Sequence, residues 1–336
     1  MAQTPSRTQH HADRAFQPFT VKLMWQEVAP HTWPAAIMPT LIALVLSVLS
    51  TNGNGQSISL ITALVLLVIV ILMQSSVNTF NDYFDYVKGV DTPDTSSTDI
   101  SDAIFVYYNV NPKSGLALAV GLLASAFGLG IYIICISGVV PLLIALVGAV
   151  IVAAYSGGKT PISYYPIGEV VSGFVMGGLI PLADYYVLTG TLDFWVLPYT
   201  IPCMIGIGLI MMSNNISDIE KDTQAQRKTL AVVLGRPTCT SLYHGLYGCW
   251  VVSIVLISMW VCFNLTHSIS SLASVLFMVP VMGLCILPSA RALMNNPLTF
   301  ATRDMTMPQI LGQNVMLGAF FCIMLLLGAF APFALV

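Results

Sequence analysis

Two short acidic segments stand out in a chain in which only 8% of the residues are charged. The first contains Asn78, Asp82 and Asp85 and continues to Lys88 and Asp91. Spacings of four and three residues place the first three side chains on one face of a helix, at about 100° per residue. Two carboxylates on one face repel each other by roughly 1 kcal/mol in water, and by more beside a low-dielectric wall. This face is therefore expected to hold a cation.

The second acidic segment repeats the pattern with Asn214, Asp218 and Asp222. Neither segment contains histidine or cysteine, and sites built from oxygen ligands alone favour Mg²⁺ over zinc. Mg²⁺ held by one or two carboxylates usually completes its coordination with substrate phosphates. The two segments therefore predict a diphosphate site at a membrane face. The alternatives are a solvated acidic loop for the first segment and a helix end with i,i+4 pairs for the second.

A lysine between the two segments, Lys159, follows a Gly-Gly pair in the sequence Tyr155-Ser-Gly-Gly-Lys159. The backbone N–H groups of such a turn can approach phosphate oxygens, and the ammonium group adds a point charge. A lysine at a membrane border is also a common anchor whose charged head reaches water, so both functions stay open. The same alternatives apply to Arg227 and Lys228, which follow the second segment.

Two further acidic residues lie near opposite ends of one apolar stretch, 167–188. Glu169, at its start, is expected either to cap a helix N-terminus or to stand at the edge of the site. Asp184, near its other end, is expected at the solvated membrane interface. Asp184 thus lies far from both acidic segments.

The composition, with 56% hydrophobic residues, identifies an integral membrane protein. A membrane-spanning helix needs about 20 apolar residues, and nine stretches are long enough. We therefore predict an all-α integral membrane fold with nine transmembrane helices around a central cavity. Residues 25–336 are expected to form this domain, and residues 1–24 an N-terminal cytoplasmic or interfacial segment. The predicted spans are 33–50, 58–80, 115–137, 139–156, 167–188, 194–216, 241–263, 269–288 and 310–331.

The distribution of lysine and arginine predicts the orientation of the chain in the membrane. With nine spans and a cytoplasmic N-terminus, all 12 cationic residues fall on the cytoplasmic side. The loops expected outside, 51–57, 189–193 and 264–268, contain no lysine or arginine, as the positive-inside rule requires. The chain is thus expected in the cell membrane, with the N-terminus and both acidic segments cytoplasmic. The lipid bilayer is an expected partner, and nucleic acid is not.

These segments resemble the UbiA superfamily of intramembrane prenyltransferases, and nearly the whole chain takes part in the resemblance. The two aspartate-rich motifs of that superfamily are similar to 78–85 and 214–222, and its Tyr-x-x-x-Lys motif is similar to Tyr155 and Lys159. Within the superfamily, the segments beginning at Asn81, Tyr155 and Asn214 are most similar to the 1,4-dihydroxy-2-naphthoate polyprenyltransferases of menaquinone synthesis.

The resemblance implies a UbiA-type fold with a cavity open to the lipid, two Mg²⁺ ions, a polyprenyl diphosphate donor and an aromatic acceptor. Its implied activity is transfer of the polyprenyl group to the acceptor, with 1,4-dihydroxy-2-naphthoate as the first candidate. The implied metal ligands are Asn78, Asp82, Asp85, Asp218 and Asp222. The residues implied to bind the diphosphate are Lys159, Arg227, Lys228 and Asn214. Tyr155 is implied to line the reaction centre, where it acts together with the four aspartates.

Two departures from the family pattern leave the acceptor open. Similar enzymes carry arginines after the first motif, whereas residues 92–110 contain none. The segment Ala29-Pro30-His31-Thr32 stands where relatives often have Arg-Pro-x-Thr. A different aromatic or lipid acceptor is therefore an alternative. The role of the extra aspartates in this loop, at positions 94, 99 and 102, is also open.

Two functions of other classes compete with prenyl transfer. Secondary transporters usually carry their charged sites near the membrane midplane on broken helices, whereas these acidic segments lie at the ends of apolar stretches. Membrane phosphotransferases that use CDP-alcohols also hold Mg²⁺ with clustered aspartates. Their usual Asp-Gly-x-x-Ala-Arg signature is absent from this sequence. Transport remains the alternative from another class.

Overall fold

A computed structural model describes residues 16–52, 57–89, 104–156 and 161–331. All the regular elements in these ranges are helices, which confirms the all-α prediction. One isolated β-bridge pairs Gln17 with Val110. The helices are α1 (Val21–Glu27), α2 (Pro34–Thr51), α3 (Leu60–Val87), α4 (Ile104–Tyr107), α5 (Pro112–Ser137), α6 (Val140–Ser156), α7 (Gly168–Phe174), α8 (Ile180–Thr189), α9 (Val196–Tyr199), α10 (Ile201–Ser217), α11 (Ile219–Gln224), α12 (Leu230–Leu234), α13 (Arg236–Thr266), α14 (Ile269–Met294) and α15 (Arg303–Phe330).

Seven helical segments of the described chain are long and apolar enough to cross a membrane. Two shorter apolar helices, Val140–Ile151 within α6 and Ile201–Ser217, coincide with the fourth and sixth predicted spans. Each predicted span thus falls on a helix, and the count of nine crossings remains a prediction. The seven longer segments are Pro34–Thr51, Leu60–Val87, Pro112–Ser137, Gly168–Thr189, Arg236–Thr266, Ile269–Met294 and Phe300–Phe330.

Several helices extend beyond the predicted apolar stretches at their polar ends. Helix α3 continues to Val87, whereas the predicted span ends at residue 80, so the first acidic segment lies inside a helix. Helix α13 begins at Arg236 rather than at residue 241. Hydropathy detects only the apolar part of a helix, whereas backbone hydrogen bonding continues into polar sequence. The predicted turn between the third and fourth spans is present, with Gly138 at φ +76° in the left-handed region.

The described residues of Met1–Pro30 and Leu72–Ser125 form one compact unit. Its small core consists of Leu23, Ile104, Phe105 and Val110, all buried. Helix α1 and the short helix α4 therefore pack against each other through apolar side chains. Tyr83 and Tyr86 pack against the same core, so this packing supports the C-terminal end of α3, where the first acidic segment lies.

His31–Ile71 and the described residues of Ala126–Val336 form the second compact unit. Within it, α7 lies against α10 with almost no space between the backbones. A Cβ atom added at Gly173 would lie 2.5 Å from Met204 O, and one at Gly177 would lie 2.6 Å from Met204 N. Small residues four positions apart permit such close helix packing in membranes. A π-helical turn at Val175–Leu179 joins α7 to α8 at this crossing. This close contact between the two backbones holds the start of α7 beside the end of α10.

Hydrogen bonds between side chains satisfy polar groups within the apolar core of this second unit. Thr40 Oγ1 on α2 donates to Asp184 Oδ2 on α8 at 2.7 Å. Asp184 is only 4% exposed, so the prediction of a solvated position was wrong. On the other side, Tyr247 donates to Gln313, and Gln313 donates to Ser289, which links α13, α15 and α14. A buried polar group in a membrane protein is stabilised by such partners, because lipid offers none.

Candidate functional site

The second acidic segment lies where α10 ends and α11 begins. Asp218 is the residue between the two helices, yet the helical hydrogen bonding continues through it. The N–H group of Asp218 donates to Asn214 O at 3.0 Å, and that of Asp222 donates to Asp218 O at 2.8 Å. The repeat of four residues is therefore preserved, and Asn214, Asp218 and Asp222 follow one another along one side. We call these three residues the second cluster.

Both carboxylates of the second cluster are buried, Asp218 at 6% exposure and Asp222 at 3%. Asp222 accepts a hydrogen bond from Thr229 Oγ1 at 3.2 Å, and Arg227 Nη1 lies 3.6 Å from its Oδ1 atom. Burial raises the pKa of Asp222 to about 6, while Arg227 lowers it and the neighbouring Asp218 raises it. Two acids are thus held side by side in a low-dielectric environment, which is an arrangement suited to a cation.

The loop after α11 brings Arg227 to the second cluster. The Arg227 N–H group donates to Asp222 O at 2.9 Å, and its guanidinium group lies over the Tyr164 ring at 5.2 Å. The Lys228 N–H group donates to Tyr164 O at 2.8 Å, while the Lys228 side chain is exposed. The structure therefore places Arg227 directly against the carboxylates, and Lys228 at the adjoining surface.

Tyr155 and Glu169 lie on the same side of the second unit as this cluster. Tyr155 is in the last turn of α6, and a Cβ atom added at Gly168 would lie 3.2 Å from its hydroxyl oxygen. It lies within electrostatic range of Glu169, Asp222 and Arg227. The structure thus brings Tyr155 together with the second cluster. Lys159, which the sequence pairs with Tyr155, lies outside the described residues.

Glu169 lies in the first turn of α7, where a carboxylate is favoured by the helix N-terminus. Its Oε1 atom also accepts a hydrogen bond from Asn215 Nδ2 at 2.8 Å, and the residue is 6% exposed. Glu169 therefore links the start of α7 to the end of α10, beside the second cluster.

Arg303 is a member of the site that the sequence did not reveal. It is the first residue of α15, and its Nε atom donates to Asn214 Oδ1 at 3.2 Å. The same Nε atom lies 3.4 Å from Asp218 Oδ1. Arg303 lies 89 positions after Asn214, and no local spacing rule connects residues so far apart. From the sequence alone, Arg303 was only one of the cations predicted to be cytoplasmic. Thr229, which donates to Asp222 from seven residues further along the chain, was also not predicted as part of the site.

Glu220 lies in the same segment but faces a different partner. Its carboxylate receives two hydrogen bonds from Arg236, at 2.9 and 2.8 Å. Arg236 also donates to the carbonyl oxygens of Ile216 and Leu298. The pair therefore fastens α11 to the start of α13, and the Glu220 carboxylate is occupied by an arginine rather than presented with Asp218 and Asp222.

The first acidic segment occupies the last three turns of α3. Asn78, Asp82 and Asp85 are half-buried, and an unbroken helix with this spacing places them on one face. We call these three residues the first cluster. Asn78 Oδ1 accepts a hydrogen bond from Gln74 Nε2 at 3.0 Å, and its Nδ2 atom donates to Val28 O at 3.2 Å. Asp91 and the aspartates at positions 94, 99 and 102 lie outside the described residues.

A buried acid, Glu27, lies next to the residue that binds Asn78. Glu27 is fully buried at the end of α1, and neither carboxylate oxygen has a hydrogen-bond partner among the described residues. Burial raises the pKa of Glu27 to about 8, because a low-dielectric environment disfavours the charged form. A single glutamate in a short polar segment gives no sequence signal for such burial.

The oxygen atoms of the second cluster fit a divalent cation that also binds a substrate. Asp218 Oδ1 is buried and accepts no hydrogen bond, although Arg303 lies nearby. Within the described ranges, no group of three or more His, Cys, Asp or Glu side chains is arranged to hold a metal ion. Two carboxylates alone leave most of an octahedral Mg²⁺ shell to water or to substrate oxygens. This arrangement favours a cation recruited together with a diphosphate.

Sequence comparison places this geometry in a family. The model of the UbiA prenyltransferase family matches residues 36–298. Over 238 residues the chain is 35% identical to the 1,4-dihydroxy-2-naphthoate octaprenyltransferase of Bacillus subtilis (strain 168). The alignment covers 70% of this chain and 74% of that protein. This identity extends over most of both proteins.

Structural comparison finds the same fold in archaeal proteins. A UbiA homolog from Archaeoglobus fulgidus bound to GPP and Mg²⁺ has a TM-score of 0.58 and 14% identity, covering 91% of this chain and 99% of that one. An apo UbiA homolog from Aeropyrum pernix K1 has a TM-score of 0.57 and 14% identity, covering 85% and 96%. At such identities the similarity is one of fold.

Proposed function

Because the chain belongs to the UbiA prenyltransferase family, we propose that it transfers a polyprenyl group from a polyprenyl diphosphate to 1,4-dihydroxy-2-naphthoate in menaquinone synthesis. The chain is a multi-pass membrane prenyltransferase, as its sequence resemblance predicts. The observation that carries the choice of acceptor is the 35% identity to a 1,4-dihydroxy-2-naphthoate octaprenyltransferase over most of both chains. Transfer to another aromatic or lipid acceptor is the alternative, since residues 92–110 lack arginine.

We propose two Mg²⁺ ions, one at each cluster. The structure of the Archaeoglobus fulgidus homolog bound to GPP and Mg²⁺ supports a requirement for this cation. When bound, Mg²⁺ would neutralise the diphosphate and stabilise it as a leaving group. In the second cluster the buried carboxylates and the unsatisfied Asp218 Oδ1 atom support this assignment. The proposed ligands are Asn78, Asp82, Asp85, Asp218 and Asp222.

The proposed diphosphate contacts surround the second cluster. Arg227 is already held beside Asp222 by its backbone hydrogen bond and by Tyr164. A guanidinium group there can donate two parallel hydrogen bonds to phosphate oxygens. Lys228 is exposed and can approach the same group from the cytoplasmic surface. Asn214 and Lys159 complete the proposed diphosphate set.

The chain's own residues would then orient the donor and protect the reacting carbon. Charge developing on the departing diphosphate oxygen would be stabilised by the cationic side chains fixed around it. Tyr155, half-buried and within range of Asp222 and Arg227, is proposed to line the reaction centre. Apolar surroundings would keep water from the allylic carbon until an electron-rich ring carbon of the acceptor attacks. The C–O bond of the donor breaks and diphosphate leaves with the bonding electrons. A C–C bond to the acceptor forms, and the attacked ring carbon would regain aromaticity by losing the group it carried, a proton or its carboxylate as CO2.

Incubation of membranes with a labelled prenyl diphosphate tests this function. Membranes that contain the chain, a long-chain prenyl diphosphate, Mg²⁺ and a panel of aromatic acids should yield a prenylated product of 1,4-dihydroxy-2-naphthoate, identified by mass spectrometry. Membranes carrying Asp218→Asn serve as the matched control. Transfer to a different acceptor would replace the proposed substrate. Accumulation of label without any product would contradict transferase activity and favour transport.

We also propose that both clusters face the cytoplasm, because the opposite orientation would export several lysines and arginines. In a background without cysteine, Ser96→Cys and Gln224→Cys should resist an impermeant thiol reagent added outside intact cells. Thr191→Cys, in a loop expected outside, should react under the same conditions. Labelling of either cytoplasmic position in intact cells would contradict this topology. Both positions should react once the membrane is permeabilised.

A further inference from the structure

The first residue of the last helix makes a bridge between two members of the second cluster. Arg303 Nε lies 3.2 Å from Asn214 Oδ1 and 3.4 Å from Asp218 Oδ1. The Arg303 side chain is only 15% exposed, so this contact is shielded from solvent. A charge-assisted hydrogen bond in such surroundings is stronger than one in water. The start of α15 is thereby attached to the end of α10.

This contact determines which group of Asn214 can face a ligand. The Nε–H group of arginine only donates, so the atom that it meets must be the amide oxygen of Asn214. The Nδ2 group, which donates two hydrogen bonds, is then the group that Asn214 offers to a substrate. A donor suits a diphosphate oxygen, whereas a metal ion would need the amide oxygen. The orientation therefore favours a diphosphate contact for Asn214 over metal ligation.

The same arginine lies beside the carboxylate with an unsatisfied oxygen. Asp218 is buried, and its Oδ1 atom accepts no hydrogen bond although Arg303 Nε is 3.4 Å away. This distance is long for a hydrogen bond and short for an ion pair. Arg303 thus compensates part of the Asp218 charge while leaving the oxygen available to a cation.

We propose that Arg303 is a positioning residue for the prenyl diphosphate, because it fixes Asn214 with its amide N–H groups directed to the diphosphate. This inference rests on the proposed function, since the orientation matters only if a diphosphate binds there. The inference also offers a replacement for the arginines that are absent from residues 92–110. An arginine from the far end of the sequence supplies a cation at the diphosphate site that the first loop lacks.

Binding measurements on the purified full chain test this inference. In Arg303→Gln, the dissociation constant for geranyl S-thiolodiphosphate with Mg²⁺ should rise about tenfold to a hundredfold, as expected for loss of a charge-assisted contact and its orientation. The KM for the prenyl diphosphate should rise in parallel, with the KM for the acceptor unchanged. Binding of Mn²⁺ alone, followed by electron paramagnetic resonance, should not weaken, because Arg303 competes with a cation for Asp218. Arg291→Gln, at an exposed arginine of α14, is the matched control.

A second variant separates orientation from folding. Asn214→Asp keeps an oxygen for Arg303 but removes the amide N–H groups, so it should weaken binding of the thiolodiphosphate to a similar degree. The double variant should be little worse than either single one, because both remove the same contact. Unchanged thiolodiphosphate binding in Arg303→Gln, alongside normal wild-type prenyl transfer, would overturn this inference alone. Equal loss of Mn²⁺ and thiolodiphosphate binding would also overturn it, since Arg303 would then be structural. Absence of prenyl transfer by the wild-type chain would instead remove the proposed function.

Discussion

Asp218→Asn is expected to abolish prenyl transfer, with a loss of roughly a thousandfold or more, equivalent to about 4 kcal/mol of transition-state stabilisation. The substitution keeps the shape of the side chain and removes a buried carboxylate whose Oδ1 atom has no hydrogen bond. A neutral amide binds Mg²⁺ less well than an anion and leaves Arg303 without its counter-charge. Initial rates at saturating donor, acceptor and Mg²⁺ measure the effect. Thermal unfolding in detergent verifies that the variant is folded.

Glu220→Gln is the matched control for this substitution. Glu220 lies two residues away in the same segment, but its carboxylate is exposed and engaged by Arg236. An exposed ion pair contributes little to stability, so turnover should stay close to that of the wild type. Near-normal activity of Asp218→Asn at saturating Mg²⁺ would contradict a metal at the second cluster. An equal loss in Glu220→Gln would mean that the fold of α11, rather than the Asp218 charge, limits activity.

Removal of divalent cations is expected to abolish turnover to a similar extent, and Mg²⁺ should restore it. The second cluster holds two buried carboxylates, and burial raises the pKa of Asp222 to about 6. A diphosphate adds further negative charge beside these carboxylates. Without Mg²⁺ the donor would therefore bind weakly and leave slowly, with a loss of several kcal/mol of transition-state stabilisation. Activity after chelation and stepwise return of Mg²⁺ measures the dependence.

Adding other divalent cations after chelation tests whether the metal ligands of the protein are oxygen atoms. Mn²⁺, which also accepts octahedral oxygen ligands, should replace Mg²⁺, whereas Zn²⁺ should do so poorly because neither cluster contains histidine or cysteine. Geranyl S-thiolodiphosphate with Mg²⁺ should raise the unfolding temperature more than either ligand alone, since each completes the site for the other. Full activity in excess chelator would rule out the proposed role of both clusters.

Sequence spacing was sufficient to find the second cluster. The interval of four residues from Asn214 to Asp218 to Asp222 predicts one helical face, and the backbone hydrogen bonds follow that interval even where α10 ends. Hydropathy likewise located every predicted span on a helix. Both rules are local: they relate a residue to its neighbours one or two turns away, which a single sequence contains in full.

Contacts between distant helices could not be found in this way. Arg303 approaches Asn214 across 89 residues, and Glu169 reaches Asn215 because α10 is contacted by α7 at Gly173 and by the following π-helical turn at Gly177. These distances depend on how whole helices pack, which local propensity does not specify. Asp184 was misplaced for the same reason, since its burial depends on Thr40 of another helix. The roles assigned to Lys159 and to the residues of both clusters stay predictions.

The bridge from Arg303 to Asn214 also sets the order in which the site is assembled during synthesis. A ribosome adds about 5–20 residues per second, so the 89 residues that separate the two take roughly 4–18 s to translate. Throughout that interval the nascent second cluster already carries Asp218 and Asp222 but not the arginine that orients Asn214. On the proposed role of Arg303, a chain stalled after α14 would carry its acidic cluster and yet bind the donor poorly. Competence to bind the donor would then be acquired only when α15 has been synthesised and inserted.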